Sequence, residues 1–383
     1  MKKVLFVIST LTGGGAERTV STLSKYFPDE VESSVLLNSR SEDDYEFNGE
    51  IITLGMKPRV KKSLFYQIVA AFKRYKALKK LKKSNQYDVV ISFMESANFL
   101  NIITGGEHCK RILSVRNVLS EEYTGLYRLI LLFAKMLYKQ ADYVVALSEG
   151  SRIDLVDNIG VPNDKAITIY NGYDLTKIIY KETSSRRRFI TMGRLVPQKG
   201  QWHLIRAFSE VARSYPDSRL QILGQGVLKS TLRELIEHYG LTEQVELRGF
   251  VNNPCEYLYQ SDCFVFPSVY EGFGNAIIEA LMNGLPVIAS DFSVAREIIA
   301  PALTKNEIIT SIKECQFGIL TPTNVPDIYD SSEPLDNAEK MMAEAMISFI
   351  EGNIGGQYND LNRRNCLSRF SIEKTVSEWK DLI

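Results

Sequence analysis

Apolar residues in this chain fall into short, nearly unbroken blocks separated by longer stretches in which they recur every three or four positions. The blocks come in two series: Val4 to Ser9, 88–92, 111–115, 143–147 and 166–169, then 188–192, 219–223, 245–248, 263–266 and 286–289. A block that does not alternate with polar residues suits a strand buried on both faces, as in a parallel sheet. The intervening stretches, such as Trp202 to Val211 and Asn275 to Met282, carry helical spacing. Strand and helix alternating twice over predicts an α/β protein with two doubly wound parallel sheets, each a Rossmann-like domain. Periodicity breaks between Tyr170 and Arg188, where Asn171, Gly172 and the polar run KETSSRRR mark the linker. No internal repeat and no low-complexity tract interrupts the pattern.

Three of the predicted strands run into glycine-marked turns ahead of a helix. In the run VYEGFGNAIIEALMNGLPVIASD, Gly272 and Gly274 precede the helix that starts at Asn275, Glu271 lies in the loop, and Glu279 lies about one turn inside the helix. A helix N-terminus offers unpaired N–H groups and the positive end of its dipole, so a phosphate is the expected guest. Two carboxylates at that spacing can address different hydroxyl-bearing parts of one elongated ligand, although each alone also reads as a capping or solvated acid. The second junction follows 188–192 and reads Gly193, Arg194, Leu195, Val196, Pro197, Gln198, Lys199, Gly200. A planar Arg fork beside a compact Lys charge suits a diphosphate. Gln201 after Lys199-Gly200 excludes a P-loop. The third junction is Gly13-Gly14-Gly15 after the first strand. It lacks GxGxxG spacing, so it points to close backbone approach rather than to a dinucleotide site.

The 383 residues suffice for two domains, and a hydrophobic content of 45% supports sizeable cores. Formal net charge is zero, which gives no global attraction to nucleic acid. Cys109, Cys255, Cys263, Cys315 and Cys366 show no paired spacing and are expected to be reduced, buried thiols. His108, His203 and His238 are scattered, and no metal is expected. The amino terminus lacks the long apolar core of a signal peptide, and no run approaches a membrane-spanning length. One local excess of charge stands out. From Lys57 to Lys83 the chain carries eleven Lys and Arg and no acid, with Phe65, Ile68, Val69, Phe72, Tyr75 and Leu78 at helical spacing. This stretch predicts a basic amphipathic helix whose cations are either solvated or face an anionic membrane. A second apolar, partly basic helix is predicted at Tyr123 to Lys139, and both can flank the site of a lipid-linked acceptor.

Six motifs in chain order, GGGAE at 13–17, YNGYD at 170–174, GRLVPQKG at 193–200, LGQG at 223–226, LRGFV at 247–251 and EGFGNAIIEAL at 271–281, make the chain similar to the family 4 glycosyltransferases of the GT-B fold. The resemblance spans nearly the whole chain. It implies an acceptor-binding domain at 1–175, a nucleotide-sugar domain at 176–367, a last helix at 368–383 packing back on the first domain, and a cleft between the two. It also implies retention of anomeric configuration and a nucleotide sugar, UDP-linked, as substrate, with no cofactor. By the same resemblance Arg194 and Lys199 hold the diphosphate, Gly15 approaches it, and the backbone of Phe273, Gly274 and Asn275 completes the cradle. Glu279 takes the ribose, Glu271 the transferred sugar, and Gly249 and Phe250 line the base pocket. Acceptor contacts are expected from Glu17, Glu95, Arg116 and Asn117, with Asn98 as a further candidate. Many members carry a histidine where this chain has Arg116 and Asn117, so a histidine-dependent step is not expected. The implied product is a cell-surface polysaccharide of the O-antigen or capsule kind, built on a lipid-linked glycan at the cytoplasmic face of the membrane. Two alternatives stay open on the same scaffold: a nucleotide-sugar epimerase or hydrolase, and a non-catalytic carbohydrate-binding subunit.

Overall fold

A computed structural model describes residues 1–56, 64–84, 86–106, 108–123, 125–179, 185–303, 307–323, 330–354 and 358–383. The chain divides into unit 1, Met1–Tyr173 with Phe370–Ile383, and unit 2, Asp174–Arg369.

In unit 1 the apolar blocks become strands and the periodic stretches helices. Their order is β1 (Lys2–Val7), α1 (Gly15–Tyr26), β2 (Val31–Leu37), β3 (Glu50–Thr53), α2 (Leu64–Lys83), β4 (Val89–Phe93), α3 (Glu95–Ile103), β5 (Lys110–Val115), α4 (Leu119–Glu122), α5 (Arg128–Leu137), β6 (Tyr143–Ala146), α6 (Glu149–Asp154) and β7 (Ala166–Thr168). All strands pair in parallel in the order β3-β2-β1-β4-β5-β6-β7. β1 lies inside the sheet and is buried from Val4 to Val7. Val4 and Phe6 face α1 and Trp379 of the last helix (Ile372–Asp381), while Leu5 and Val7 share a cluster with Leu78 of α2 and Ala97 and Leu100 of α3. Trp379 lies 6.0 Å from the Phe93 ring.

Unit 2 repeats the scheme with β8 (Arg188–Met192), α7 (Gln201–Ser214), β9 (Arg219–Leu223), α8 (Lys229–His238), β10 (Val245–Gly249), α9 (Cys255–Gln260), β11 (Cys263–Phe266), α10 (Asn275–Met282), β12 (Val287–Ser290), α11 (Ser293–Ile299), β13 (Lys313–Glu314), β14 (Ile319–Thr321), α12 (Asn337–Glu351) and α13 (Asp360–Ser368). Its sheet order is β10-β9-β8-β11-β12-β14-β13, with β13 the antiparallel member. In both sheets the winding direction reverses beside the first strand, between β1 and β4 and between β8 and β11. Open α/β sheets bind ligands at the carboxyl ends of the strands at such a switch point.

Three expectations change on contact with the structure. Residues 57–63 of the basic stretch lie outside the described residues, and α2 meets the expectation in part, with Leu78 buried and Lys73, Lys76, Lys80 and Lys83 exposed. Ile68 and Phe72 are exposed, whereas Arg74 and Lys82 are buried. Neutral oxygens receive the two heads: Arg74 donates to Ser9 Oγ (2.8 Å) and Asn38 Oδ1 (3.0 Å), and Lys82 donates to the carbonyls of Asn101 and Gly105 at the end of α3. Burial lowers the Lys82 pKa to about 8 and that of Arg74 to about 10. The second correction concerns the thiols, since Cys255 is exposed and the other four are buried. Cys255 opens the short α9, beyond the core strands that hide Cys263. The third is Asn98, which is fully buried, accepts from Ser92 Oγ and donates to Ser114 O, and so braces β4 against β5 rather than facing a ligand.

Candidate functional site

The switch point of unit 2 is built by two loops that are distant in sequence. After β8 the chain runs Gly193 to Gly200. After β11 it runs Pro267 to Gly274. Val269 N donates to Gln198 O (2.9 Å), and Gln198 Nε2 returns a bond to Tyr270 O (2.9 Å). Lys199 Nζ forms an ion pair with Glu271 Oε1, and Ser268 Oγ donates to the same oxygen at 3.0 Å. The pair is mostly shielded, with 16% and 11% of the two side chains exposed.

Gly200 makes the loop–loop contact possible. It has φ +64°, and a Cβ there would lie 2.0 Å from Pro267 O. The neighbouring LGQG motif has the same logic. Leu195 N donates to Gln225 O (2.9 Å), and a Cβ on Gly224 would lie 1.8 Å from Gly193 O. Beside this frame Arg194 is exposed, and among the described residues its guanidinium has no ion-pair partner. Gly274, at φ +77°, opens α10, whose first turn faces the end of the loop that carries Glu271. Phe273 is buried, Asn275 is half-buried, and Glu279 is half-buried within α10. Gly249 ends β10 at φ +77°, its carbonyl accepts from Gly224 N (2.7 Å), and Phe250 follows, largely exposed. Arg194, Lys199, Glu271, Gly274 and Gly249 therefore share the carboxyl edge of one sheet, with Glu279 one turn into α10.

Unit 1 uses its switch point differently. Gly15 starts α1, and its carbonyl accepts from Thr19 Oγ1 (2.9 Å). Arg116, just past β5, donates to Thr19 Oγ1 (2.9 Å), to Asn171 Oδ1 (2.6 Å) and to Gly15 O (3.4 Å). Its guanidinium is buried, which brings its pKa down to about 10 even with Glu17 nearby. Arg116 thus ties the glycine loop to the YNGYD segment, and the sequence-level picture of a cation waiting for an acceptor anion needs correcting. Glu17 folds over Gly14, and burial raises its pKa. Glu95 follows β4, after Met94 at φ +72°. It is buried, its Oε2 accepts from Tyr123 OH (2.9 Å), its Oε1 has no partner among the described residues, and burial raises its pKa. Asn117 is half-buried next to Arg116.

The contacts made by Ser268, Gln198, Thr19 and Tyr123 were not foreseen from the sequence. Only Ser268, a small hydroxyl between the strand-ending Pro267 and the acidic loop, left a signal that could have been followed. His203, Asp336 and Glu339 also bring ligand-type atoms within 4.8 Å of one another. Glu339 Oε1 there already accepts from His203 Nδ1 and Arg206 Nε, both at 2.8 Å, while Oε2 takes the Asp336 N–H. That donor set fits a buried ion pair on a capping box.

The family model for Glycosyltransferase Family 4 matches residues 13–177, and that for Glycosyl transferases group 1 matches residues 176–311. An uncharacterised glycosyltransferase of Methanocaldococcus jannaschii is 37% identical over 81% of this chain and 82% of its own length. The chain belongs to the family 4 glycosyltransferases. It is an enzyme of the hexosyltransferase kind. A Campylobacter jejuni relative, named as an N-acetylgalactosaminyltransferase acting on a diphospho-undecaprenol-linked sugar, is 31% identical over 78% of this chain and 83% of its own. A Staphylococcus aureus glycosyltransferase of capsular polysaccharide biosynthesis, CapH, is 29% identical over 78% of this chain and 84% of its own. The crystal structure of Anabaena HepE with UDP and glucose superposes with a TM-score of 0.73 at 19% identity, covering 100% of this chain and 99% of the other. The fold of this glycosyltransferase is GT-B.

Proposed function

We propose that this glycosyltransferase moves a hexosyl or N-acetylhexosaminyl unit from a UDP-sugar to a hydroxyl of a lipid-linked glycan, with retention of configuration, in the synthesis of a capsule-like or O-antigen-like polysaccharide. One observation carries the donor side: Lys199 and Glu271, 72 residues apart, meet at the switch point of unit 2, with Arg194 on the same loop. In this reading Arg194 and Lys199 hold the diphosphate and stabilise the negative charge that grows on it as the glycosidic bond breaks. The role of a divalent metal falls to these two cations. The diphosphate competes with Glu271 for the Lys199 ammonium, and the exchange frees the carboxylate to accept hydroxyl protons of the transferred sugar. Glu279 takes the ribose, the backbone of Phe273, Gly274 and Asn275 meets the phosphates at the α10 N-terminus, and Gly249 and Phe250 border the base. The leaving phosphate takes the acceptor's proton on the face from which it departs, so no protein base is required.

The acceptor side rests on the names of the relatives from Campylobacter and Staphylococcus, and on Glu95, whose buried Oε1 can receive a sugar hydroxyl. Among the described residues no helix is long and apolar enough to cross a membrane, and we place the enzyme peripherally at the cytoplasmic face. The test is UDP release from a panel of UDP-sugars with undecaprenyl-diphosphate-linked glycans. Acceptor-dependent release that survives a metal chelator and is lost in Glu271→Ala is expected. Equal release without acceptor would make the protein a hydrolase.

A further inference from the structure

We infer that Gln201 is a positioning residue for the diphosphate: its buried amide fixes the main chain of Arg194, and so the point from which that exposed cation reaches its ligand. The role rests on the donor site proposed above and adds to it a residue that itself touches neither phosphate nor sugar.

Gln201 opens α7, directly after Gly200, and is 1% exposed. Glutamine is mostly found at the surface, so burying one needs a reason. Its Nε2 donates to Arg194 O at 3.1 Å, back across seven residues of the loop. Val196 N donates to the same carbonyl at 3.0 Å, and the next residue, Leu195, is buried with its N–H on Gln225 O. The Arg194 main chain is therefore held on both sides of its carbonyl while its side chain stays exposed. A cation on a loose loop would lose backbone freedom on meeting a phosphate, and one on a clamped loop has lost it already.

The other end of the amide shows that packing is not the reason for glutamine here. Gln201 Oε1 is buried and accepts from no described residue, and such an orphaned acceptor costs stability. Methionine would fill the same space with the same reach and no unpaired oxygen. What glutamine adds at this position is the Nε2 donor.

Two glutamine amides thus bracket Lys199. Gln198 Nε2 ties the turn that carries Lys199 to Tyr270 O, beside Glu271, and Gln201 Nε2 ties the start of α7 to Arg194. Together they set the spacing of the two cations, which has to match the fixed spacing of two linked phosphates. An error of about 1 Å in such a placement can cost up to about 10²-fold, and an anchor on a helix limits that error better than one on a loop.

The test measures the Kd for UDP and for uridine by NMR titration of the full chain in wild type, Gln201→Met, Arg194→Ala and the double variant. Gln201→Met removes a bonded donor and an unbonded acceptor together, so its melting temperature should match wild type. Its Kd for UDP should rise about three- to tenfold, the worth of one hydrogen bond, while its Kd for uridine, which has no phosphate, should not change. In the Arg194→Ala background the same substitution should change neither, because no cation is left to place. An unchanged UDP Kd in Gln201→Met, beside a weakened Arg194→Ala, would overturn the inference and leave the donor site standing. Equal weakening for UDP and uridine would overturn it too, as would a full loss repeated in the Arg194→Ala background, since Gln201 would then act on the whole unit rather than on Arg194. Wild-type UDP binding in Arg194→Ala would overturn the donor role of Arg194, and this role of Gln201 with it.

Discussion

The two switch points have the same topology and opposite electrostatics. In unit 2 Arg194 is exposed and Lys199 is paired with the Glu271 carboxylate, which the proposed diphosphate would displace. In unit 1 the corresponding cation is spent on structure, because Arg116 is buried and gives its protons to Thr19, Asn171 and Gly15. Neutral oxygens hold a guanidinium without cancelling its charge, and a protein pays that desolvation only where position matters. On the proposed reading, one edge exchanges ion partners while the other holds a loop still.

The sharpest way to break this contrast is to remove the exchangeable pair. Lys199→Ala should lower kcat about 10²–10³-fold, the usual effect of deleting one group that stabilises a developing anion. It also leaves the Glu271 carboxylate shielded and short of a partner, which costs on the order of 1–3 kcal/mol. The double variant with Glu271→Gln should recover part of that stability and none of the activity. Thermal unfolding and UDP release separate the two effects. Full activity in Lys199→Ala would remove the donor site from this switch point.

Arg116 should respond the other way round. Arg116→Ala removes the donor shared by Thr19 Oγ1, Asn171 Oδ1 and Gly15 O, while Asn171 Oδ1 keeps its bond from Thr19 Oγ1, and a stability loss of about 1–3 kcal/mol is expected. Arg116→Lys keeps the charge but has no planar fork to span three acceptors, so the melting temperature should fall and UDP affinity should hold. If Arg116→Lys instead kept its stability and lost kcat as severely as Lys199→Ala, Arg116 would be a ligand contact and the contrast would fail.

Most of the fold was legible because parallel strands announce themselves as apolar blocks. The exceptions have local causes. β2 reads Val-Glu-Ser-Ser-Val-Leu-Leu, and its polar first half hid it, while β3, β13 and β14 are short strands at or near the sheet edges. The two strand-to-helix junctions of unit 2 were legible as charged, glycine-marked turns because loop, glycine and charge lie together in sequence. That Gly200 packs on Pro267, and that Ser268 supports Glu271, was not, since each contact joins segments that only the sheet order brings together. The reading of α2 missed the burial of Arg74 and Lys82 for a related reason. Periodicity ranks a lysine as polar, but the long stem of Lys82 can be buried once its head reaches the carbonyls of Asn101 and Gly105.

Glycine substitutions sharpen the comparison at smaller amplitude. Gly200→Ala forces a Cβ into Pro267 O and should separate the two loops, at about 1–3 kcal/mol for overpacking and a further 1–2 kcal/mol or so for the left-handed backbone. Gly13→Ala in unit 1 has the same kind of backbone, φ +73°, but open space around the new carbon, so only the backbone term applies. Calorimetry of the two variants should show the larger loss for Gly200→Ala. Equal losses would mean that the loop–loop contact contributes little.

The smallest effect separates the units by pH. In unit 1, burial raises the pKa values of Glu17 and Glu95, so their share of stability is present below the ordinary carboxylate value near 4.5 and is lost as pH rises through the raised values. In unit 2, burial also pushes Asp262 and Glu339 upward but is outweighed, for Asp262 by bonds from Arg188 and Ser185 and for Glu339 by bonds from His203 and Arg206. Both end below their ordinary values, so their share is present above those values and is lost as pH falls through the lowered ones. Each unit of pKa shift corresponds to about 1.4 kcal/mol. Acidification from about pH 6 to about pH 4.5 should therefore strengthen unit 1, and unit 2 should weaken only on further acidification below about pH 4.5. Scanning calorimetry checks this if Glu339→Gln is used to mark which transition belongs to unit 2, because that transition alone should lose part of its acid sensitivity, the part due to Asp262 remaining. Transitions that move together at every pH, in wild type and variant alike, would show that the opposite carboxylate environments of the two units do not govern their stability.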